Sequence, residues 1–382
     1  MQTIRSTVLA VLAAFAFPAA ADLAISAQDN KVWNDGGVVK MLPNPAPDNI
    51  AIIDLAASPP RIVAEVKLPT SVVGPPLSVA ITRDESLAFV TAAQKLDPSD
   101  ATRSIPDNKL SVVDLKARPP AVIATLEAGA GASGVSVNRE GTLLLVANRN
   151  EGTVSVFTVN GKTVAAAGKV KLGDEKSGPS HVVFTPDGKR ALVSRDGDSV
   201  ISMLAIDGST VTDAKRDFGN GYRPYGIDIS ADGSVAVVAN VGRNAGDVET
   251  VSLIDMRARP PRVVDVIAVP PTPEGIILSP DGRMAAVITH NGSAKPKGSP
   301  FYTASGKVVL LRIEGGKLAR GGEAPIGTWA QGVAFTRDGK SLLVQNMVEK
   351  EIQVLRIDGD RLADTGQRIK TNGGPVALRV AW

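Results

Sequence analysis

Short runs of alternating apolar and polar residues recur along the whole chain, and each is followed by a tight turn. Six of them lead into a turn of the Pro-Asp-Gly type: VAITRDES (79–86), VSVNREGT (135–142), VVFTPDGK (182–189), IDISADGS (227–234), IILSPDGR (276–283) and VAFTRDGK (333–340). Alternation with a period of two predicts half-buried β-strands, and Asp-Gly between such strands predicts a hairpin. Helical periodicity is nearly missing, so the pattern predicts an all-β protein.

The six turns mark an internal repeat. Their acidic residues stand at positions 84, 140, 187, 232, 281 and 338, so that successive turns are 45 to 57 residues apart. Each unit continues with a second apolar strand such as LLLVAN (143–148), a third with its own turn such as SVFTVNG (155–161), and a fourth such as AVIATL (121–126). Four strands at this period are typical of one β-propeller blade.

The two ends of the chain complement each other. Residues 376–382 form a first strand without successors, whereas residues 22–28, 49–54 and 61–68 form three later strands without a first. Their union makes a seventh blade and closes the ring, which removes unpaired sheet edges. We therefore predict a seven-bladed β-propeller of four-stranded antiparallel blades, closed by one C-terminal strand joining three N-terminal strands. An open solenoid, or six blades with a separate N-terminal domain, would leave the lone terminal strand unexplained.

Residues 1–21 have the pattern of an export signal. Arg5 supplies the positive charge, residues 7–17 are apolar but too few to span a bilayer, and Ala19–Ala21 form a small-residue cleavage site. We expect cleavage before Asp22, a periplasmic or secreted location, and a single propeller domain over residues 22–382. No later stretch has 18 uninterrupted apolar residues, so we expect no membrane insertion.

Composition removes several classes of function. The chain has no cysteine, which excludes disulfides, thiolate metal sites and a cysteine nucleophile. The formal net charge is +3 over 382 residues, and no five like charges follow one another. Neither a nucleic-acid partner nor a polybasic membrane patch is therefore indicated. We expect a monomer.

Three segments between second and third strands are longer than the rest. Because strands alternate in direction, these three segments lie on the same face of the ring as the links between blades. We call this face the upper face. The opposite, lower face carries the Pro-Asp-Gly turns and three hairpins containing Pro-Pro. Long, dissimilar loops on a rigid scaffold are typical binding elements, so we predict the working site at the upper mouth of the central channel. The long loops are residues 29–48, 92–108 and 290–306.

Several of these segments resemble a known family. SHVVFTPDGK (180–189), LVAN (145–148) and VSVF (154–157) resemble the YVTN-repeat and lactonase-like seven-bladed propellers of the 6-phosphogluconolactonase-like superfamily. The resemblance covers essentially all of residues 22–382 and implies the fold, together with lactone hydrolysis for some members. Gly178-Pro179-Ser180-His181 looks like the lactonase-type Gly-Pro-Arg-His segment, but Ser180 replaces the arginine, which speaks against a direct transfer of sugar-phosphate lactone chemistry.

Side chains that begin an innermost strand or end a second strand are expected at the upper mouth. Arg223 and Trp329 lie on the links just before such strands. The remaining members of this set are Ser78, Arg149, His181, Arg195, Tyr225, Asn240, Glu274, His290, Gln331 and Asn346.

The only two histidines of the chain belong to this set. Glu274 and His290 border the same blade and are expected to be neighbours, so Glu274, His181 and His290 form the predicted catalytic group. A histidine beside a carboxylate can act as a general base or as half of a metal site. Alternatively, the pair only holds the 290–306 loop. No third and fourth metal ligand is evident, so we expect neither a metal nor another cofactor.

The other members form the predicted ligand-binding group. Arg149 and Arg195 end equivalent strands on either side of His181 and suit a carboxylate or phosphate. Alternatively, they pair with their chain neighbours Glu151 and Asp196. Tyr225 and Trp329 provide either a stacking wall or packing between blades. Arg223, Gln331, Asn240, Asn346 and Ser78 complete the group.

Two classes of function remain open. In the first, the protein binds a small anionic molecule or a periplasmic protein partner at the upper mouth. In the second, it hydrolyses a lactone or similar ester with a water activated by Glu274 or a histidine, and an arginine stabilises the oxyanion. A lesser alternative is a platform subunit for a periplasmic dehydrogenase. Walker, dinucleotide, Gly-x-Ser-x-Gly and His-Glu-x-x-His motifs are absent.

Overall fold

The computed structural model describes residues 22–381, and the expected export signal at residues 1–21 lies outside the described residues. The described part contains thirty strands and no helix, hence no helix able to cross a membrane. The strands are β1 (Leu23–Asp29), β2 (Val32–Asp35), β3 (Val38–Met41), β4 (Asn49–Asp54), β5 (Arg61–Lys67), β6 (Val79–Ile81), β7 (Leu87–Asp97), β8 (Asp100–Asp114), β9 (Ala121–Glu127), β10 (Ala132–Val137), β11 (Leu143–Asn148), β12 (Thr153–Asn160), β13 (Thr163–Lys171), β14 (Pro179–Phe184), β15 (Arg190–Arg195), β16 (Val200–Asp207), β17 (Thr210–Gly219), β18 (Pro224–Ile229), β19 (Val235–Asn240), β20 (Glu249–Asp255), β21 (Arg262–Val269), β22 (Pro273–Leu278), β23 (Met284–Thr289), β24 (Gly306–Glu314), β25 (Lys317–Ile326), β26 (Ala330–Phe335), β27 (Ser341–Asn346), β28 (Glu351–Asp358), β29 (Arg361–Lys370) and β30 (Gly374–Val380).

Twenty-eight of these strands form seven four-stranded antiparallel sheets arranged as a ring, and β2 and β3 form a separate hairpin, so the predicted seven-bladed β-propeller is confirmed. Consecutive strands build blades 1 to 6, which are β6–β9, β10–β13, β14–β17, β18–β21, β22–β25 and β26–β29. Blade 7 has the order β30-β1-β4-β5 and therefore joins one C-terminal strand to three N-terminal strands.

The closing contact of blade 7 is an antiparallel ladder with one register shift, between Ala27 and Gln28. Ser26 pairs with Leu378 and Ala27 with Ala377. The buried amide of Gln345 in blade 6 donates from Nε2 to Ser26 Oγ at 2.7 Å and to the Ala377 carbonyl at 2.9 Å. One side chain of the neighbouring blade thus holds both strands that close the ring.

The core lies between neighbouring blades, where apolar faces pack together. Val156 in blade 2, for example, belongs to one buried cluster with Val182 and Val193 in blade 3. Burial of a side chain of this size stabilises the fold by roughly 1.5–3 kcal/mol. Near the channel, the inner strand of blade 2 leaves no room for a side chain at Gly134, because a Cβ there would lie 2.5 Å from His181 Cδ2.

Two of the three predicted long loops are in fact strands. Residues 92–108 continue β7 and β8 as a two-stranded ribbon, in which Lys95 pairs with Ile105. The ribbon turns where Asp97 Oδ1 accepts hydrogen bonds from the backbone and hydroxyl of Ser99. Residues 29–48 contain the hairpin β2–β3. Of the three predicted loops, only the one at residues 290–306 contains no strand before β24 begins at Gly306.

Buried charges hold the base of the β2–β3 hairpin. Lys31 Nζ lies 3.1 Å from Asp29 Oδ2 and 2.7 Å from Asp48 Oδ2, and it donates to the Thr70 carbonyl at 2.6 Å. The tip of the hairpin reaches blade 5, because a Cβ on Gly37 would lie 2.1 Å from the backbone nitrogen of Pro296. The hairpin and the 290–306 loop therefore meet over the upper face.

Candidate functional site

Six polar or charged side chains from blades 2 to 5 lie at the upper mouth, in one group of four and one pair, and the charges of the two groups act on each other. We call this set the upper cluster. Its members lie at the ends of second strands, at the starts of inner strands, or on the adjoining links: Arg149, Asp196, Arg223, Tyr225, Glu274 and His290.

Asp196 joins the two arginines of the cluster. Its Oδ2 lies 3.2 Å from Arg149 Nη2 and 3.0 Å from Arg223 Nη2. The Asp196 side chain is 5% exposed and that of Arg149 17%, whereas that of Arg223 is 37% exposed. Arg223 is therefore the guanidinium of this group that is most open to a ligand.

Arg149 also contacts the position where the chain departs from the lactonase-type segment. Its Nη1 donates a hydrogen bond to Ser180 Oγ, and that hydroxyl donates to Asp196 Oδ1 at 2.9 Å. The lactonase-type segment has an arginine where this chain has Ser180. Arg149 of blade 2 brings a guanidinium to the side chain at this position.

Tyr225 forms an aromatic surface below Arg149, whose Cζ lies 5.2 Å from the centroid of the tyrosine ring. This distance is within the range of cation–π attraction. Burial raises the pKa of Tyr225 far above its usual range, and the nearby Arg149 charge opposes that shift only in part. The phenol is therefore a neutral hydrogen-bond donor at physiological pH.

Glu274 and His290 are neighbours, as the sequence predicts. Glu274 Oε2 lies 3.6 Å from His290 Nε2, and this nitrogen has no hydrogen-bond partner within residues 22–381. Burial raises the pKa of Glu274, while His290, Arg149 and Arg223 act in the opposite direction. A largely enclosed carboxyl with a raised pKa near cationic groups is typical of a general base.

The connection from blade 7 to blade 1 crosses the same mouth. A Cβ on Gly74 would lie 2.1 Å from Ser133 Oγ in blade 2, and Gly74 itself has φ +104°. Two residues later, Pro76 Cγ lies 3.1 Å from the place where a Cβ would stand on Gly275 in blade 5. The connection therefore passes over the channel beside the upper cluster and narrows the approach to it.

His181 lies apart from the other two predicted catalytic residues. Its ring is fully buried, Nδ1 donates to the Ile227 carbonyl at 2.9 Å, and Nε2 has no partner in the described part of the chain. Burial lowers the pKa of His181 well below its usual range, and the charge of Arg379 adds to this shift. His181 is therefore a neutral imidazole inside the channel and does not contact Glu274.

Arg195 does not join the upper cluster. Its Nη1 lies 2.8 Å from Asp217 Oδ2 on the outer strand of its own blade, and Nη2 pairs with Asp198. The alternative pairings expected from the sequence are also wrong. Glu151 pairs with Lys169 at 2.7 Å, and Asp196 holds Arg149 and Arg223 rather than Arg195.

The two predicted asparagines have structural hydrogen bonds. Asn240 Nδ2 donates to hydroxyls of its own blade, and its Oδ1 accepts from Asn220 Nδ2 at 2.5 Å. Asn346 Oδ1 accepts from the backbone of Gly327 at 2.9 Å. These amides tie the ends of second strands to the preceding links.

Ser78, Gln331 and Trp329 have different surroundings. The Ser78 hydroxyl and both polar atoms of the Gln331 amide are buried without a hydrogen-bond partner from residues 22–381. Such atoms are normally satisfied by water or a ligand. Trp329 instead lines a 30 Å³ cavity beneath the β2–β3 hairpin, together with Trp33 and Met347.

Sequence reasoning missed the charged residues Asp228 and Arg379, and it considered Asp196 only as a partner of Arg195. Asp228 Oδ1 in blade 4 lies 3.8 Å from Arg379 Nη2 in blade 7, so this pair spans the channel. Burial raises the pKa of Asp228, and Arg379 opposes the shift. A charge within the apolar inner strand IDI (227–229) was an available signal, because the inner strands of blades 1, 2, 3, 5 and 6 carry small or apolar residues at that position. Within residues 22–381, no group of three or more histidine, aspartate and glutamate side chains has a metal-binding arrangement.

Comparison with known proteins confirms the resemblance to lactonase-like seven-bladed propellers. The model of the family described as lactonase, seven-bladed β-propeller, matches residues 108–212. No curated protein matches the chain.

Solved structures match nearly the whole chain. A candidate 6-phosphogluconolactonase of Bacteroides fragilis is 16% identical, with TM-score 0.71 and coverage of 95% of this chain and 99% of that one. A candidate 6-phosphogluconolactonase of Bacteroides uniformis is 20% identical, with TM-score 0.71 and coverage of 94% of this chain and 99% of that one. The periplasmic gluconolactonase of Pseudomonas aeruginosa is 16% identical, with TM-score 0.70 and coverage of 94% and 99%. At these identities the likeness shows the fold alone.

Proposed function

We propose that the protein hydrolyses lactones at the upper cluster. The observation that carries this proposal is the Glu274 carboxyl, which is only 16% exposed, has a raised pKa and lies 3.6 Å from His290, within reach of the charges of two arginines. The family match over residues 108–212 and the names of the similar structures support the same reaction class.

The reaction can be written with these residues alone. Ionised Glu274 takes a proton from a water as the water oxygen attacks the lactone carbonyl. Arg223 and the neutral Tyr225 hydroxyl stabilise the oxyanion of the tetrahedral intermediate. The ring C–O bond then breaks, and the ring oxygen receives the proton from Glu274, which leaves a hydroxy acid. His290 Nε2, which lies 3.6 Å from Glu274 Oε2, hydrogen-bonds the same water and holds it beside the carboxylate.

The proposed substrate is a small lactone with hydroxyl or anionic substituents, such as a sugar-acid lactone. Arg149 and Arg223 suit such groups because guanidinium binds carboxylate and phosphate with paired hydrogen bonds. We further propose that the protein acts outside the cytoplasm, on the basis of the signal-like pattern of residues 1–21.

The test is hydrolysis of glucono-δ-lactone, 6-phosphogluconolactone and a substituent-free δ-lactone, followed by acid release. We expect Glu274→Gln to lower kcat roughly 10²–10⁴-fold, the range for loss of a general base. Glu314→Gln is the matched control, because Glu314 lies on the distant turn between β24 and β25. The proposal fails if the wild-type protein hydrolyses none of the three above background, or if Glu274→Gln retains full activity.

A second candidate is capture of a small anion without chemistry. It is favoured by the buried Gln331 amide and Ser78 hydroxyl, whose partners must come from outside the described chain. In that case gluconate would raise the melting temperature by mass action, and no lactone would be turned over.

A further inference from the structure

The channel has a second opening on the lower face, and it contains a cavity of about 330 Å³. The lower ends of the inner strands of blades 1, 2, 3, 4 and 7 surround it. Tyr225 of the upper cluster and Asp228 of this cavity lie on the same strand, β18, with three residue steps between them. At about 3.3 Å per residue, the two places are about 10 Å apart along the channel.

The lining of this cavity is unbalanced in charge. Arg83, Arg139 and Arg379 line it, and Asp228 is the one carboxylate among its lining residues in the described chain. Three guanidinium groups against a single carboxylate leave an excess of positive charge. Walls of low dielectric focus that charge into the cavity and favour an anion there.

Arg379 is the least exposed of the three arginines that line the cavity. Its side chain is 12% exposed, and its nearest carboxylate oxygen, Asp228 Oδ1, is 3.8 Å away. That distance exceeds a hydrogen bond, so the donors of the guanidinium remain available. Asp228 itself is tied elsewhere, because its Oδ2 accepts from the Leu278 backbone at 2.9 Å.

The remaining walls are largely apolar. Val137, Val183, Phe184 and Ile229 line the cavity beside the arginines. An apolar lining with a few convergent polar groups is the usual composition of a small-molecule site.

We propose that this lower cavity is a second binding site, which takes a small organic anion with a carboxylate head and an apolar body. The carboxylate pairs with Arg379, and Arg83 and Arg139 at the rim attract it. The apolar body lies against Phe184 and Ile229. The site is separate from the upper cluster and does not depend on lactone hydrolysis.

The test is ¹⁹F NMR titration of the full chain with 4-fluorobenzoate, with 4-fluorobenzyl alcohol as the neutral counterpart. We expect the acid to bind and Arg379→Met to weaken binding at least about 10-fold, the loss expected for a charge-assisted pair. Asp228→Asn/Arg379→Met removes both charges together, so it should keep the fold and still bind weakly. Arg283→Gln, an exposed arginine on the lower face that does not line the cavity, should bind like wild type.

The proposal is overturned if 4-fluorobenzoate does not bind, if the neutral alcohol binds equally well, or if the double variant keeps wild-type affinity. It is also overturned if Arg149→Lys abolishes binding while Arg379→Met does not, because the anion would then occupy the upper cluster.

Discussion

Glu274 Oε2 faces His290 Nε2 at 3.6 Å, a contact between neighbouring strands of blade 5 that is too long for a hydrogen bond. A water or a substrate oxygen can therefore bridge the two groups. This gap distinguishes a site arranged for proton transfer from a closed structural pair, and the first prediction concerns the carboxylate beside it.

The pH dependence of kcat/KM should report the ionisation of Glu274. Because burial raises the pKa of Glu274, activity should rise with pH through a midpoint above 4.5 rather than below it. Arg223 opposes that shift, so Arg223→Met should move the midpoint to higher pH. Arg243→Met is the control, since Arg243 stacks on Tyr222 instead. A midpoint that stays in place in Arg223→Met would contradict this arrangement.

Arg149→Lys should weaken recognition of anionic lactones. The guanidinium contacts Ser180, Asp196 and the Tyr225 ring at once, and a lysine ammonium cannot make this set of contacts. We expect kcat/KM for 6-phosphogluconolactone to fall roughly 10- to 100-fold, about 1.4–3 kcal/mol, and less for a substituent-free lactone. Arg195→Lys is the control, because Arg195 lies at the equivalent strand end of blade 3, and its KM should be unchanged. An equal rise of KM in both variants would contradict a binding role for Arg149.

His181 should make the folded protein sensitive to acid. Its pKa is lowered in the folded state, so below the ordinary value of 6.5 the unfolded chain binds a proton that the folded chain does not. Stability is therefore lost as pH falls through this window, by at most about 1.4 kcal/mol per pH unit. Urea unfolding from about pH 5 to about pH 7 should show this slope in wild type and a smaller one in His181→Gln. Identical slopes would mean that His181 is protonated in the folded protein.

Lys31→Met should destabilise the protein far more than Lys40→Met, although both lysines belong to the same hairpin segment. Lys31 is buried between Asp29 and Asp48, and its loss leaves two buried carboxylates unpaired, which costs about 3–5 kcal/mol. Lys40 pairs with Asp35 on the surface, where such a pair contributes less than about 1 kcal/mol. Urea unfolding of the two variants measures the difference, and equal losses would show that the buried network adds no stability.

The ring closure was predictable because it depends on strand count and edge pairing alone. The ribbon formed by residues 92–108 was not, since segment length does not distinguish a loop from two extended strands. Its pairing depends on contacts such as Lys95 with Ile105, which a repeat count does not contain.

The contact between Glu274 and His290 was predictable because one blade supplies both residues, whereas the contacts of Arg149 join two blades and were missed. Glu274 and His290 border adjacent strands, so their contact follows from the repeat. Arg149 reaches Asp196 in the next blade, 47 residues along the chain, although Glu151 is nearer in sequence. Arg195 and Asp196 are chain neighbours, but Arg195 ends β15 and Asp196 begins the turn that follows, and they join different networks.

The composite seventh blade also determines how the molecule can assemble. Ala27 and Ala377, paired in the closing ladder, are 350 residues apart in the chain, and closing a loop of that length costs about 5 kcal/mol of chain entropy. All contacts within blades 1 to 6 are made by residues that lie between Ala27 and Ala377 in the chain. These blades can therefore form before the closing ladder does. The join between β1 and β30 is therefore the slowest contact to find, and the ring becomes a single cooperative unit only once it has formed.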